Sequence, residues 1–197
     1  MVDLTPYIIG FQYNHGVKLL EKVYAAARSS LQSEIHRVES EAAAYHDALS
    51  NGGEWKGEVE DGHILWEQSQ VYELEINDVH YALFEVRKAF TIALYHYWED
   101  SIAGLMGLKG KGGDHETLSA YCGQKGWGPS PELDAVRHLT NHLKHGHAAK
   151  NDWMGELSSK YPSFLTDSVH RTFEPSEETL TKVASAVLTS GPAHKNY

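Results

Sequence analysis

Two long stretches in which apolar and small residues recur every three or four positions constrain this fold more than any other feature. The second stretch follows Asn77 and Asp78, which can cap a helix, and no proline interrupts the first. This spacing places one side chain per turn on the same side of an α-helix, so the sequence predicts helices over about 17–49 and 77–106. The positions concerned are Val17, Leu20, Tyr24, Ala27, Leu31, Ile35, Val38, Ala42, Tyr45 and Leu49, then Val79, Leu83, Val86, Phe90, Leu94 and Tyr97.

The remaining segments predict shorter helices joined by turns. Residues 50–72 are rich in turn formers and acids, which predicts an exposed excursion that forms a loop, a lid or a small hairpin. Short helices are expected over about 116–122 and 152–161, from Pro131 to Gly146, and after a cap at Ser176. We therefore predict an all-α fold in a single domain over 1–197, with a flexible tail over about 191–197.

Composition limits the partners and the compartment of the chain. With 27 acidic against 17 basic residues and a formal net charge of -10, any nucleic-acid contact must be local. The thirteen histidines can make a restricted patch positive. Cys122 is the one cysteine, which excludes an internal disulfide and a cysteine-based zinc cluster. No signal peptide or membrane span is evident, so we expect a cytoplasmic protein without membrane contact.

The segment Leu133–Gly146 carries the residues best suited to chemistry. On an ideal helix its apolar side chains, Leu133, Val136, Leu139 and Leu143, share one side. Asp134, Arg137, Asn141 and His145 form a polar row at another. His142 lies off the predicted apolar stripe too, about 140° around the axis from Arg137. Arg137 and His142 can therefore meet one substrate only if the helix end is distorted or a second subunit closes over them.

An Arg-x4-His spacing at Arg137 and His142, followed by Lys144-His145-Gly146, resembles the signature of the HEPN superfamily of all-helical nucleases and nucleotide-binding proteins. The resemblance implies a helical bundle with two long antiparallel helices and a site in a cleft at a homodimer interface. It also implies metal-independent RNA cleavage without a cofactor. In that mechanism a histidine transfers protons and an arginine stabilises the charged phosphorus centre. A toxin or phage-defence role, with an antitoxin or other protein partner, would fit the family.

Carried over to this chain, the resemblance makes Arg137 and His142 the catalytic pair, with Asn141 and Lys144 as flanking polar residues. His145 directly precedes Gly146 and is the alternative catalytic histidine. His96, Glu99, Asp100 and His138 are supporting candidates, since the first three lie one turn apart near the end of the second long helix, where they could orient a histidine. An ion pair at a helix end explains the same three residues.

Other interpretations of these residues remain open. His138, His142, His145 and His147 share helical spacing, but without cysteine partners or a His-Glu-x-x-His pattern we predict no metal site. The polar row could be a solvated face that is merely histidine-rich. The alternative function is a non-catalytic helical module for dimerisation or protein interaction. A nuclease would hold Arg137 and a histidine around one phosphate, whereas a scaffold would scatter them or bind them in structural contacts.

Overall fold

A computed structural model describes residues 5–108, 113–146, 151–165 and 174–193 of the chain. Within them the protein is all-α, with six helices and one two-stranded hairpin. In chain order the elements are α1 Thr5–Ser50, β1 Gly57–Glu60, β2 His63–Glu67, α2 Gln68–Leu105, α3 His115–Gln124, α4 Leu133–His145, α5 Trp153–Lys160 and α6 Glu177–Thr189. The predicted fold class is confirmed, and the hairpin lies within the segment predicted as an excursion.

Both long helices start earlier than their apolar stripes predict. α1 begins at Thr5, and its first turns are helical even though Tyr7, Ile8 and Phe11 are exposed there. α2 begins at Gln68, directly after β2, so Asn77 and Asp78 lie inside the helix and do not cap it. In α2, the helix propensity of the residues that directly follow β2 outweighs the capping signal of Asn77 and Asp78.

The chain divides into two compact units. The first, here called the α4 unit, comprises Met1–Tyr24 and Arg87–Tyr197. The second, the hairpin unit, comprises Ala25–Val86. Each long helix therefore contributes residues to both units.

The α4 unit has an extensive apolar core. Its largest fully buried side chains include Trp98, Phe164, Leu94, Ile102, Leu118, Leu139 and Leu157. The indole nitrogen of Trp98 donates a hydrogen bond to the carbonyl oxygen of Ser190 at 2.8 Å. Gly191 and Pro192 are buried as well, at the start of the predicted tail, while residues 194–197 lie outside the described ranges.

Side-chain caps mark the starts of α3, α5 and α6, but α4 begins later than predicted. The side chains of Asp114, Asp152 and Ser176 each accept a hydrogen bond from a backbone amide in the first turn of α3, α5 and α6. α4 ends at Gly146, whose φ of 57° suits a residue without Cβ and whose amide donates to the carbonyl oxygen of His142. At the other end the predicted start at Pro131 is wrong by two residues, and α4 begins at Leu133. Ser130 Oγ accepts a hydrogen bond from the amide of Glu132, which still precedes the helix, and no side chain within the described ranges caps α4.

The hairpin unit has a small core and an exposed sheet. Ile35, Val38, Tyr45 and Leu83 are its buried apolar side chains. β1 and β2 pair antiparallel, and the turn between them places both Asp61 and Gly62 at positive φ. Asp-Gly at these positions is typical of the turn that joins two strands directly. Among the described residues, no helix combines the length and apolarity that crossing a membrane requires.

Candidate functional site: the open side of helix α4 and the Asp134 network

Helix α4 is buried on most of its circumference. The buried set includes two histidines, His138 and His142, together with Leu133, Ala135, Val136, Leu139, Thr140 and Leu143. α4 packs against both α5 and α6. Four predicted site residues remain accessible to solvent, and we call them the open side of α4: Arg137 and Asn141, which are partly exposed, and Lys144 and His145, which are exposed.

Arg137 makes contacts with two acidic side chains through different atoms. Its Nε donates to Oδ1 of Asp134 at 2.7 Å, and Nη2 lies 2.7 Å from the same oxygen. Nη1 donates to Oε1 of Glu116 on α3 at 3.1 Å. The Glu116 side chain is 70% exposed, whereas that of Asp134 is 26% exposed. Since exposed ion pairs are weak, Nη1 is the atom of Arg137 most readily released to another anion.

Asp134 connects the surface to one buried histidine, His138, and one partly buried histidine, His115. Its Oδ2 accepts a hydrogen bond from the Tyr161 hydroxyl at 2.7 Å and lies 3.3 Å from Nε2 of His138. Its Oδ1 lies 3.7 Å from Nε2 of His115 on α3. Partial burial opposes ionisation of Asp134, but the Tyr161 hydrogen bond and the Arg137 charge outweigh it, so the pKa of Asp134 lies below its usual value. These five residues form the Asp134 network.

His138 occupies the buried side of this network. Its ring lies against Trp153 and Tyr161, with centroid separations of 5.5 and 6.4 Å. Nε2 also lies 3.7 Å from Oε2 of Glu156, yet within the described chain neither ring nitrogen makes a hydrogen bond. Burial lowers the pKa of His138, and the nearby Asp134 carboxylate only partly offsets this effect. The ring is therefore neutral near pH 7.

His115 is the other histidine of the network. Its Nδ1 lies 2.9 Å from the hydroxyl of Tyr95, and its Nε2 lies 3.4 Å from Oγ of Ser119. Burial lowers the pKa of His115, and the Arg137 charge lowers it further. Burial likewise raises the pKa of Tyr95, so its hydroxyl keeps its proton. The two contacts of its ring nitrogens, with Tyr95 and Ser119, lie within the protein.

The predicted catalytic pair does not share one face of α4. Arg137 is partly exposed, whereas His142 is only 8% exposed, although its position off the apolar stripe predicted an accessible side chain. The packed surroundings of α4 extend further around the helix than the leucine positions indicate, because α5 and α6 both cover it. Among the predicted histidines of α4, His145 is the exposed one. It therefore lies on the same open side as Arg137, Asn141 and Lys144.

Two of the supporting residues on α2, His96 and Glu99, form a local hydrogen-bonded pair. Nδ1 of His96 lies 2.7 Å from Oε2 of Glu99, one turn further along the helix. The charge of Glu99 also contributes to the raised pKa of Tyr95, the residue whose hydroxyl contacts His115. Asp100 is exposed. His138, the fourth supporting residue, contacts Asp134 as described above.

The described residues contain no group of three or more histidine, cysteine, aspartate or glutamate side chains arranged to hold a metal ion. His147, one of the four histidines considered for such a site, lies outside those residues.

Several residues of the site were not identified from the sequence. Packing of three other segments around α4 brings His115 and Tyr161 to Asp134. The same packing pairs Glu116 with Arg137 and Tyr95 with His115. Asp134 itself belongs to the predicted polar row, but no role was assigned to it. Its position one turn before both Arg137 and His138 was the available signal, since side chains three and four positions apart are neighbours on a helix.

Comparison with known proteins adds no relative to these observations: no family model, no curated protein and no solved structure matches the chain.

Proposed function

We propose that the open side of α4 binds phosphate groups of RNA or of a nucleotide, with Arg137 as the principal ligand. The observation that supports this most is the division of contacts around Arg137. Asp134 holds Nε and Nη2 and orients the guanidinium, while Nη1 is paired with an exposed carboxylate. A phosphate that displaces Glu116 gains a charge-assisted hydrogen bond from an arginine that is already positioned.

Asn141, Lys144 and His145 extend this binding surface toward the end of α4. Arg137 and His145 are eight residues apart, which corresponds to about 12 Å along the helix axis. Such a separation suits two phosphates of one strand that are not adjacent better than a single phosphate. The surface is also small, which agrees with the local contact that a strongly acidic chain requires.

The HEPN resemblance extends the proposal to metal-independent cleavage of RNA. In that reaction the ribose 2′-oxygen attacks phosphorus, its proton passes to a histidine, and the bond to the 5′-oxygen breaks as that oxygen takes up a proton from solvent. His145 is the exposed histidine of α4 and is our candidate for the proton transfer. The distance from Arg137 favours a site completed by the α4 helix of a second chain.

The test is binding of a short fluorescently labelled single-stranded RNA, measured by anisotropy at low and moderate salt. Arg137→Ala should weaken binding by about tenfold and reduce the dependence of affinity on salt, because one phosphate contact is lost. Glu116→Gln should strengthen binding, because it removes the anion that competes for Nη1. Arg37→Ala is the matched control, since Arg37 also pairs with two glutamates but lies on α1 in the hairpin unit. Equal binding by the parent and Arg137→Ala would contradict the proposal.

Cleavage is measured separately, with the same RNA in the presence of EDTA. The parent should cleave it, and His145→Ala should reduce cleavage far more than it weakens RNA binding. His46→Ala, at an exposed position of α1, serves as the control. RNA binding without cleavage by the parent would leave the phosphate-binding proposal in place and refute the nuclease proposal.

A second candidate function, a helical dimerisation module, is favoured by an exposed apolar stripe on α1 in the α4 unit. Ile8, Phe11, Leu19 and Val23 are each at least half exposed. They lie nearly symmetrically about His15, so an antiparallel second copy would place Phe11 beside Leu19 and Ile8 beside Val23. Such self-complementarity is what a two-fold interface requires.

Light scattering tests the dimer. The parent should have the mass of a dimer at tens of micromolar, and Leu19→Glu should convert it to a monomer with unchanged helical content. Lys18→Glu, which alters charge on the neighbouring position without removing apolar surface, is the control. A parent that is monomeric throughout this range would exclude both the module and the shared cleft.

A further inference from the structure

The β1–β2 hairpin exposes a group of large apolar side chains to solvent. Both strands are exposed along nearly their whole length, and in the described part of the chain no third strand pairs with them. The exposed apolar side chains here are Trp55, Val59, Ile64, Leu65 and Trp66. A contiguous group of exposed apolar side chains is typical of a binding site. Two strands alone are also only marginally stable in water, so a bound partner would stabilise the hairpin.

The polar atoms of both tryptophans are directed to carboxylates of the hairpin. The indole nitrogen of Trp66 donates to Oε2 of Glu58 at 3.2 Å, and that of Trp55 donates to Oε2 of Glu67 at 3.4 Å. With their donors already engaged, the exposed parts of both rings offer mainly apolar contact.

The two edges of the hairpin differ in regularity. Glu58 pairs with Trp66 and Val59 pairs with Ile64, so Leu65 has no counterpart and forms a bulge in β2. A bulge disrupts the hydrogen-bonding ladder and discourages pairing at that edge. β1 contains no such interruption. Its outer edge is therefore the one that can accept another strand.

Charge determines what such a strand must carry. Residues 54–67 contain five acidic residues and one lysine. Glu58 and Glu60 lie on one face of β1 because side chains alternate along a strand, and Val59 lies on the other. A second copy pairing through the same edge would bring these carboxylates together, which is unfavourable. A strand with basic residues opposite the glutamates and an apolar residue opposite Val59 is favoured on both faces.

From these observations we propose that the outer edge of β1 binds an extended, basic segment of another protein by strand addition, with alternating basic and apolar residues in that segment. Main-chain hydrogen bonds supply affinity in such complexes, and alternate side chains supply specificity. This surface is independent of the proposed phosphate-binding surface on α4. A partner protein bound here would be a second ligand of the molecule.

The probe is a short capped peptide in which lysine and valine alternate, titrated into the full-length protein by calorimetry and followed by tryptophan fluorescence. We expect saturable binding. The same peptide with N-methyl groups on the amides of its pairing edge should bind at least about tenfold more weakly, because it cannot form the ladder. A glutamate–valine peptide should not bind. Absence of binding by the lysine–valine peptide, or equal binding by its N-methylated form, would overturn the proposal.

Variants of the protein locate the binding site. Glu58→Lys combined with Glu60→Lys should weaken binding of the lysine–valine peptide by about tenfold or more. The matched control is Glu73→Lys combined with Glu75→Lys, which changes the net charge equally at exposed positions of α2 and should alter affinity by less than about twofold. Equal losses in the two double variants would show attraction to overall charge and refute strand addition. A parent that self-associates through β1, and loses this association in the first double variant, would identify a second copy as the occupant instead.

Discussion

Helix α4 and the β1–β2 hairpin contain similar proportions of apolar and polar residues, but their side chains have opposite surroundings. In α4 even two histidines are buried, and the polar atoms of Asp134 and Arg137 are bound to named partners. In the hairpin two tryptophans and three aliphatic side chains are exposed. A polar residue can therefore belong to a packed interior and an apolar residue to an exposed surface. Local hydrophobicity does not distinguish the two cases.

The largest expected effect comes from truncating matched aliphatic side chains in the two regions. Leu139 is fully buried, so Leu139→Ala should lower the free energy of unfolding by about 2–5 kcal/mol. Ile64 is 56% exposed, so Ile64→Ala should lower it by no more than about 0.5 kcal/mol. Urea unfolding followed by circular dichroism measures both. Similar losses for the two variants would mean that the hairpin contributes core-like packing, and the contrast between the regions would fail.

A smaller effect is expected from removing the carboxylate that holds the polar residues of α4. Asp134→Ala should cost about 1–3 kcal/mol of unfolding free energy, because the Tyr161 hydroxyl and the Arg137 guanidinium each lose a partner in a partly buried place. Asp47→Ala, at an exposed position of α1, should change stability by less than about 0.5 kcal/mol. If the two variants are equally stable in urea, the Asp134 network contributes nothing to folding.

The smallest effect is a dependence of stability on pH in the α4 unit. The pKa of His138 and that of His115 are both lowered from 6.5, mainly by burial. In the window between the lowered and the usual pKa, the unfolded chain binds more protons than the folded one, so stability rises with pH there. The melting temperature should therefore fall as the pH is lowered from about 7.5 to about 5.5.

His138→Gln identifies the source of this pH dependence. Glutamine keeps a polar side chain of similar length but does not titrate, so the variant should show a weaker dependence of melting temperature on pH than the parent. His46→Gln, at an exposed position, should retain the dependence of the parent. A His138→Gln variant with an unchanged pH dependence would show that other groups cause it.

Most elements of the fold were predictable from the sequence. The apolar spacing predicted two long helices, and the capping residue predicted the start of the last one. For residues 50–72 the sequence predicted a loop, a lid or a small hairpin, without deciding among them. Asp61-Gly62 was the specific signal for the hairpin, because both residues adopt the positive φ that a tight hairpin turn requires.

Residue spacing along the chain determined the helices of this protein and the row of polar residues on α4, since both depend on contacts within a few positions. The sequence also identified Arg137 and His145 as candidates that the structure leaves accessible. Tertiary structure decided that His142 is buried, that His115 and Tyr161 approach Asp134, and that the tryptophans of the hairpin are exposed. These outcomes depend on which segments cover a given face, and that is settled by packing between residues far apart in the chain.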